Sequence, residues 1–309
     1  MPSINDILKR KAARLSRIPE ELYTNIERIQ RDIYQDLLGM LADLSRTAEG
    51  KIRPTVANFR LAEKINRSLS KILGSGDYLS AVASFAAEFD KQKDLADQYF
   101  QKAFPAFEAS KIADQVFLQS KRNAVELLTG ATPKTGFLQA INTEIDKAIS
   151  SGASIKDTVA TIRRIAIGGE GPAGAAPISG KLLQYAKQVA SDAISVADRS
   201  YTFAIAEDLE AEWFLYAGDE LPSSREFCIE RHGNYYHKKE IEAWAALDWA
   251  GKMKDSTNEQ TIFVNAGGWN CQHSIMPVTI DTVPREVIMR NIASGNFVPS
   301  EFERAELGL

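Results

Sequence analysis

Residues 196–218 read VADRSYTFAIAEDLEAEWFLYAG, and the spacing of the apolar residues changes within this stretch. Up to Glu210 they recur every three or four positions, which is typical of an amphipathic helix. From Trp213 to Tyr216 they are consecutive, aromatic and β-prone, and Gly218 begins a turn. The stretch therefore predicts a mainly α protein, with a long-helix N-terminal region followed by a small α+β C-terminal domain.

Helical spacing extends from this stretch back to the start of the chain. Pro19 and the two acids after it predict that a second helix starts there, because proline and acids are favoured in a first turn. The Gly, Pro and Ala tract at 168–177 predicts a flexible loop or linker. The predicted helices cover residues 4–47, 54–73, 77–99, 105–130, 137–149, 154–167 and 179–210.

The predicted domain boundary lies at residue 205, with a helical region, as a bundle or extended helices, over 1–205 and an α+β domain over 206–309. Turn residues are frequent in the second region, and its elements are correspondingly short. The patterns predict helices at 225–233 and 238–249, a strand at 261–264 and a tight glycine-rich turn at 265–274.

Composition excludes several classes of protein. Of 309 residues, 44% are hydrophobic and 25% are charged, unlike a disordered or collagen-like chain. Two cysteines are too few for a disulfide framework. No apolar run is long enough to span a membrane, and the opening residues lack the pattern of a signal peptide. We expect a soluble protein made in a reducing cytoplasm.

Charge differs between the two regions. Residues 1–200 carry 28 basic and 23 acidic side chains, a net charge of +5, whereas residues 201–309 carry 9 and 18, a net charge of −9. A run of cations lies between Lys9 and Arg17. It is either the polar face of a terminal helix or a contact for nucleic acid or an acidic partner. The interleaved aromatic residues of a single-strand binder are missing from it.

The two Cys and three His residues of the chain all lie in one short segment of the C-terminal region. Cys228 and His232 are four apart and would share one face of a helix, while Cys271 and His273 lie in the glycine-rich turn. These four residues predict a tetrahedral Cys2His2 site for a structural metal, with zinc as the expected ion. His237 could replace His232. A reduced cysteine pair packed without metal and a disulfide are the alternatives.

Catalysis is not expected from this cluster. A nucleophilic cysteine beside His273 is conceivable, but neither cysteine has a recognisable nucleophile signature or an evident oxyanion hole. A hydrolytic metal centre keeps an open coordination position and would want His with Asp or Asn, whereas half of the candidate ligands here are thiolates. The predicted role of the site is structural, and we expect no enzyme.

The order of these residues resembles the C-terminal motif of the MuF-like phage minor head proteins, or phage head morphogenesis proteins. That motif has an aromatic-led strand, then Thr/Ser-Arg with Cys or His three residues later, then a Gly, and a Cys-x-Cys or Cys-x-His pair before an apolar-Pro ending. Leu221 and Pro222 stand where the family often has an Asp. The matching residues are Trp213, Ser224, Arg225, Cys228, Gly233, Tyr236, Gly268, Cys271, His273 and Pro277.

The resemblance implies a virion protein of few copies, added near the portal during procapsid assembly and acting in head morphogenesis, DNA packaging or delivery. Its expected partners are the portal protein and other head proteins, with DNA as a further candidate and with no membrane or small-molecule substrate. Its expected location is the capsid interior, after assembly in the bacterial cytoplasm. The alternative is a phage-encoded metal- or Cys-dependent hydrolase or toxin-like enzyme. A helical interaction module of the host is a third hypothesis.

Overall fold

A computed structural model gives the fold and describes residues 3–74, 76–105, 107–108, 110–170 and 177–308. The helices are α1 (Ile4–Ala42), α2 (Val56–Leu73), α3 (Asp77–Ala103), α4 (Lys111–Thr129), α5 (Ala131–Ser151), α6 (Ile155–Ala166), α7 (Lys181–Asp208), α8 (Glu226–Ile229), α9 (Lys238–Ala243), α10 (Ile262–Asn265), α11 (Arg285–Ala293) and α12 (Glu301–Leu307). The strands are β1 (Gly168–Gly169), β2 (Ile178–Ser179), β3 (Trp213–Ala217), β4 (Tyr235–His237) and β5 (Ser274–Val278). This order confirms the predicted fold class: long helices first, then a small α+β region.

Helix α1 is continuous through Pro19, so the prediction that a second helix starts there is wrong. Proline has no N–H to donate to the carbonyl one turn earlier, which weakens the helix locally. However, Leu15, Ile18 and Leu22 around it are all buried. The apolar stripe thus continues without interruption, and its packing maintains the helix across the missing hydrogen bond.

One compact unit consists of residues 18–88 and 122–190. Within it, α2 packs on α5 and α5 on α6. Strand β1 pairs with β2 in antiparallel orientation at the two ends of the Gly/Pro tract. Residues 171–176 of that tract lie outside the described residues, so the flexible loop stays a prediction there.

The other compact unit consists of residues 1–17, 89–121 and 191–309. It contains a three-stranded antiparallel sheet with the order β4-β3-β5. Because side chains alternate between the two faces of a strand, β3 contributes side chains to two hydrophobic cores, one on each face of the sheet. Phe214 and Tyr216 pack into a cluster that includes both cysteines, whereas Trp213 packs on the opposite face with Phe297.

A buried ion pair fixes the first turns of α1 within this unit. Lys11 pairs with Asp198 of α7, and Gln92 and Ser274 each donate a hydrogen bond of 3.1 Å to the same carboxylate. The side chain of Lys11 is therefore unavailable to a partner. Lys11 therefore belongs neither to a solvated polar face nor to a partner contact, the two interpretations given for the basic run.

Several short C-terminal elements differ from their predictions. The strand predicted at 261–264 is helix α10. The turn before it is fixed by Asn258, whose side-chain oxygen accepts hydrogen bonds from the backbone N–H groups of Gln260 and Thr261. The helices predicted at 225–233 and 238–249 are shorter and form α8 and α9, and 3-10 turns lie at Trp244–Ala246 and Ile280–Thr282.

The change from helices to strands lies between α7 and β3, close to residue 205. The compact units follow contacts rather than sequence order, since the division falls inside α1, α3, α4 and α7. Separate folding of 1–205 and 206–309 stays a prediction. Within the described ranges, no helix combines the length and the apolar character needed to cross a bilayer.

Candidate metal centre

Three of the predicted ligand residues meet on one face of the sheet. Cys228 lies on α8, whereas Cys271 and His273 lie in the turn that leads into β5. All three side chains are buried, and one ligand atom from each lies within 4.8 Å of the other two. This group could hold a metal ion.

Two of the three distances between donor atoms are close to those of a tetrahedral site. The Sγ atoms of Cys228 and Cys271 are 3.9 Å apart, and Nδ1 of His273 is 3.8 Å from Sγ of Cys271. Around a tetrahedral zinc ion, neighbouring sulfur and nitrogen ligands are about 3.5–3.8 Å apart, given the usual bond lengths. The sulfur–sulfur distance is far longer than a disulfide bond, and both cysteines are free.

Two glycines make room for these donors. A Cβ atom at position 267 would overlap Sγ of Cys228 and lie 2.9 Å from Sγ of Cys271. A Cβ atom at position 218 would lie 2.8 Å from the ring of His273, and Gly218 has a φ of +152°. Glycine is therefore required at both positions for the sulfur atoms and the imidazole ring to approach as they do.

Two arginines hold the backbone of the turn. The guanidinium group of Arg199 in α7 is buried and donates to the carbonyls of Val264, Cys271 and His273, the last two at 2.7 and 3.2 Å. Arg225 donates to the carbonyls of two further residues of the turn, Gly267 and Trp269. These hydrogen bonds fix the loop from which two of the three donors project.

Electrostatics favours one thiolate and one thiol in the absence of a metal. The hydrogen bond with Cys228 is the largest of the effects that lower the pKa of the Cys271 thiol well below its usual range, and His273 and Arg199 lower it further. The same hydrogen bond raises the pKa of the Cys228 thiol, and burial raises it too. The two thiols thus titrate as a coupled pair, with Cys271 the one that loses its proton more readily.

Tyr216 on β3 completes one side of the group. Its hydroxyl donates to Sγ of Cys228 at 3.3 Å and lies 3.9 Å from Sγ of Cys271. Its ring stacks on His273 with a centroid distance of 5.2 Å. Burial raises the pKa of this hydroxyl well above its ordinary value, and the neighbouring sulfur atoms contribute. Tyr216 thus positions one sulfur by hydrogen bonding and the imidazole by stacking.

The structure does not bring the other two histidines into the group. The ring of His232 lies beside that of His273, with 5.8 Å between centroids in an edge-to-face arrangement. His237 caps α9, accepting a hydrogen bond from the backbone N–H of Lys239, and packs against Trp213 in the other core. Among the described residues, neither belongs to the set whose donor atoms lie within 4.8 Å.

A small cavity adjoins the group. Its volume is about 50 Å³, and all three donor residues line it together with Ser223, Ser224 and Gln272, among others. This space is sufficient for one or a few water molecules and too small for a polymeric substrate.

Sequence reasoning singled out Arg225 but missed two other residues that position the donors, Arg199 and Tyr216. Arg199 lies among the apolar positions of α7, and its spacing resembles that of any surface residue of a long helix. Tyr216 belonged to the aromatic run assigned to a strand core. The alternation of β3 was the available signal, because it places Tyr216 on the same face as Phe214.

Comparisons with protein-family models, curated proteins and solved structures gave no match to this chain. The function is therefore argued from the geometry of the site and from the motif residues.

Proposed function

We propose that this protein is a structural minor head protein of a phage, located in the capsid interior near the portal, that acts in head morphogenesis, DNA packaging or delivery. One observation carries the proposal. Cys228 and Cys271, both positions of the resembling motif, are 43 residues apart in the chain and yet form one buried group with His273. A chance similarity in sequence gives no reason for these particular side chains to converge.

Zinc is the ion that we propose for this group. Thiolate and imidazole ligands suit zinc, and two donor distances, 3.9 and 3.8 Å, are close to those around a tetrahedral ion. A bound ion would join α8 to the turn before β5. In so small an α+β region, the free energy of metal binding would also be free energy of folding. The burial of all three donors supports a structural role.

The portal and other head proteins are the proposed partners, with DNA as a further candidate. The net charge of +5 on residues 1–200 offers a route to an acidic portal surface, although Lys11 is buried and does not take part. Electrostatic docking of this kind weakens as salt increases. If DNA is the partner instead, its affinity should fall steeply over the same salt range.

Co-expression with the portal, scaffold and major capsid proteins of the same phage tests the proposal. We expect the protein to purify with proheads in a few copies each, and to bind isolated portal most strongly at low salt. Its absence from proheads, together with no portal binding at low salt, would overturn the proposal. The hydrolase hypothesis makes a different prediction, a turnover that is lost in Cys271→Ser while proheads lack the protein.

A further inference from the structure

We propose that the metal ion keeps one coordination position free of protein ligands, open to the 50 Å³ cavity, where water or a small anion binds. The inference rests on the metal site of the proposed function and goes beyond it. A closed four-ligand site would only cross-link the domain, whereas an open position can exchange its ligand.

The donor set leaves this position vacant. Cys228, Cys271 and His273 supply three vertices of a tetrahedron. Within the described part of the chain, no fourth Cys, His, Asp or Glu places a donor atom in the same group. Tyr216 lies close, but it is engaged as a hydrogen-bond donor to Sγ of Cys228.

The cavity adjoins the donor group, since all three donor residues line it. A fourth ligand from solvent could therefore reach the ion from this side. Its other walls include the polar residues Ser223, Ser224 and Gln272. With about 50 Å³, the cavity is large enough for water or a linear anion such as azide, and too small for a side chain from a large partner.

His232, the fourth ligand predicted from spacing, has a different role in this arrangement. It does not line the cavity, and it lies against the ring of His273. Nδ1 of His232 and Nε2 of His273 are both buried and lack hydrogen-bond partners among the described residues. The contact between the two residues is the edge-to-face packing of their rings, without a hydrogen bond between these atoms. His232 thus lies against the ligand ring without supplying a donor atom to the group.

Cobalt-substituted full-length protein tests the open position. Cobalt(II) in a tetrahedral sulfur–nitrogen site absorbs in the visible range, and we expect azide to shift these bands in a saturable manner. X-ray absorption of the zinc form should show two sulfurs, one imidazole and one further oxygen. Ser223→Leu tests the cavity: this side chain borders it and supplies no donor atom to the metal, so the larger leucine should weaken the azide response.

Variants of His232 and Tyr216 test whether either residue supplies the fourth ligand instead. His232→Ala should retain the tetrahedral cobalt spectrum, because His232 supplies no donor atom to the group. Two imidazoles in the absorption data, or loss of the tetrahedral spectrum in His232→Ala, would overturn the inference and leave the metal site intact. A phenolate charge-transfer band that disappears in Tyr216→Phe, with no azide response, would also overturn it. A full-length chain that binds neither cobalt nor zinc would overturn both the inference and the proposed metal site.

Discussion

Gly267 is the residue at which the backbone approaches both sulfur atoms of the metal centre. A methyl group there would overlap one sulfur and crowd the other. We therefore expect Gly267→Ala to abolish stable metal binding and to destabilise the C-terminal region, as measured by metal content and urea unfolding. Gly39 is the control, because it lies exposed in α1 with nothing near its Cβ position. Gly39→Ala should be neutral or stabilise the helix by up to about 1 kcal/mol. Metal binding by Gly267→Ala with wild-type affinity would contradict the geometry.

The buried ion pair between Lys11 and Asp198 can also be tested by stability measurements. Lys11→Met leaves a buried carboxylate without its cation, and we expect it to cost about 3–5 kcal/mol of unfolding free energy. Replacing both residues, as Lys11→Met with Asp198→Leu, should recover much of that loss, since no charge stays buried. Lys9→Met changes an exposed cation of the same helix and should have little effect. Equal losses of unfolding free energy in Lys9→Met and Lys11→Met would show that the Lys11–Asp198 pair does not contribute to stability.

The residue types of the site could be predicted from the sequence, but their arrangement could not. The clustering of Cys228, Cys271 and His273 in one region indicated a joint role. The structure brings these three together and leaves His232 beside them. Sequence spacing alone identifies residues that would be neighbours on one helix. The distance from α8 to the turn before β5 depends instead on the pairing of β3 with β5. The carbonyl contacts of Arg199 depend on the same long-range packing.

At the scale of elements, long helices were predictable because each has many apolar positions in phase, and short elements were not. Four residues at 261–264 fit a strand by propensity, yet α10 forms at Ile262–Asn265, after a turn that the side chain of Asn258 fixes. Such a turn contains too few residues for periodicity to distinguish the two conformations. Local side-chain hydrogen bonds determine the conformation of such a turn instead.

Pro19 provides the test at the scale of elements. If α1 is continuous, Pro19→Ala restores a backbone hydrogen bond, and we expect it to stabilise the protein by about 1–3 kcal/mol in urea unfolding. If a helix began there, the same change would remove a favourable first-turn proline and would be neutral or destabilising. Ala13→Pro, at an exposed position of α1, should cost about 3 kcal/mol and serves as the reciprocal variant.

At the scale of the whole molecule, the compact unit that contains the metal centre is assembled from three separate stretches of sequence. Periodicity identified the helices in these stretches but carried no information about which of them pack together. Residues 271–274 show the consequence, because Arg199 and Asp198 of α7 bind them directly. The cross-link proposed for the metal therefore acts on a unit that includes the part of α7 from Ser191 onward as well as the C-terminal strands.

The metal content of the purified full-length chain tests the central claim most directly. We predict about one zinc ion per chain by elemental analysis, and Cys271→Ser should lose it because a hydroxyl is a poor zinc ligand. Chelation of the wild type should increase hydrogen exchange in β3, α8 and β5 while the helices of residues 18–88 keep their protection. A content below about 0.2 ions per chain, with the C-terminal region still folded, would show that Cys228, Cys271 and His273 are packed without a metal.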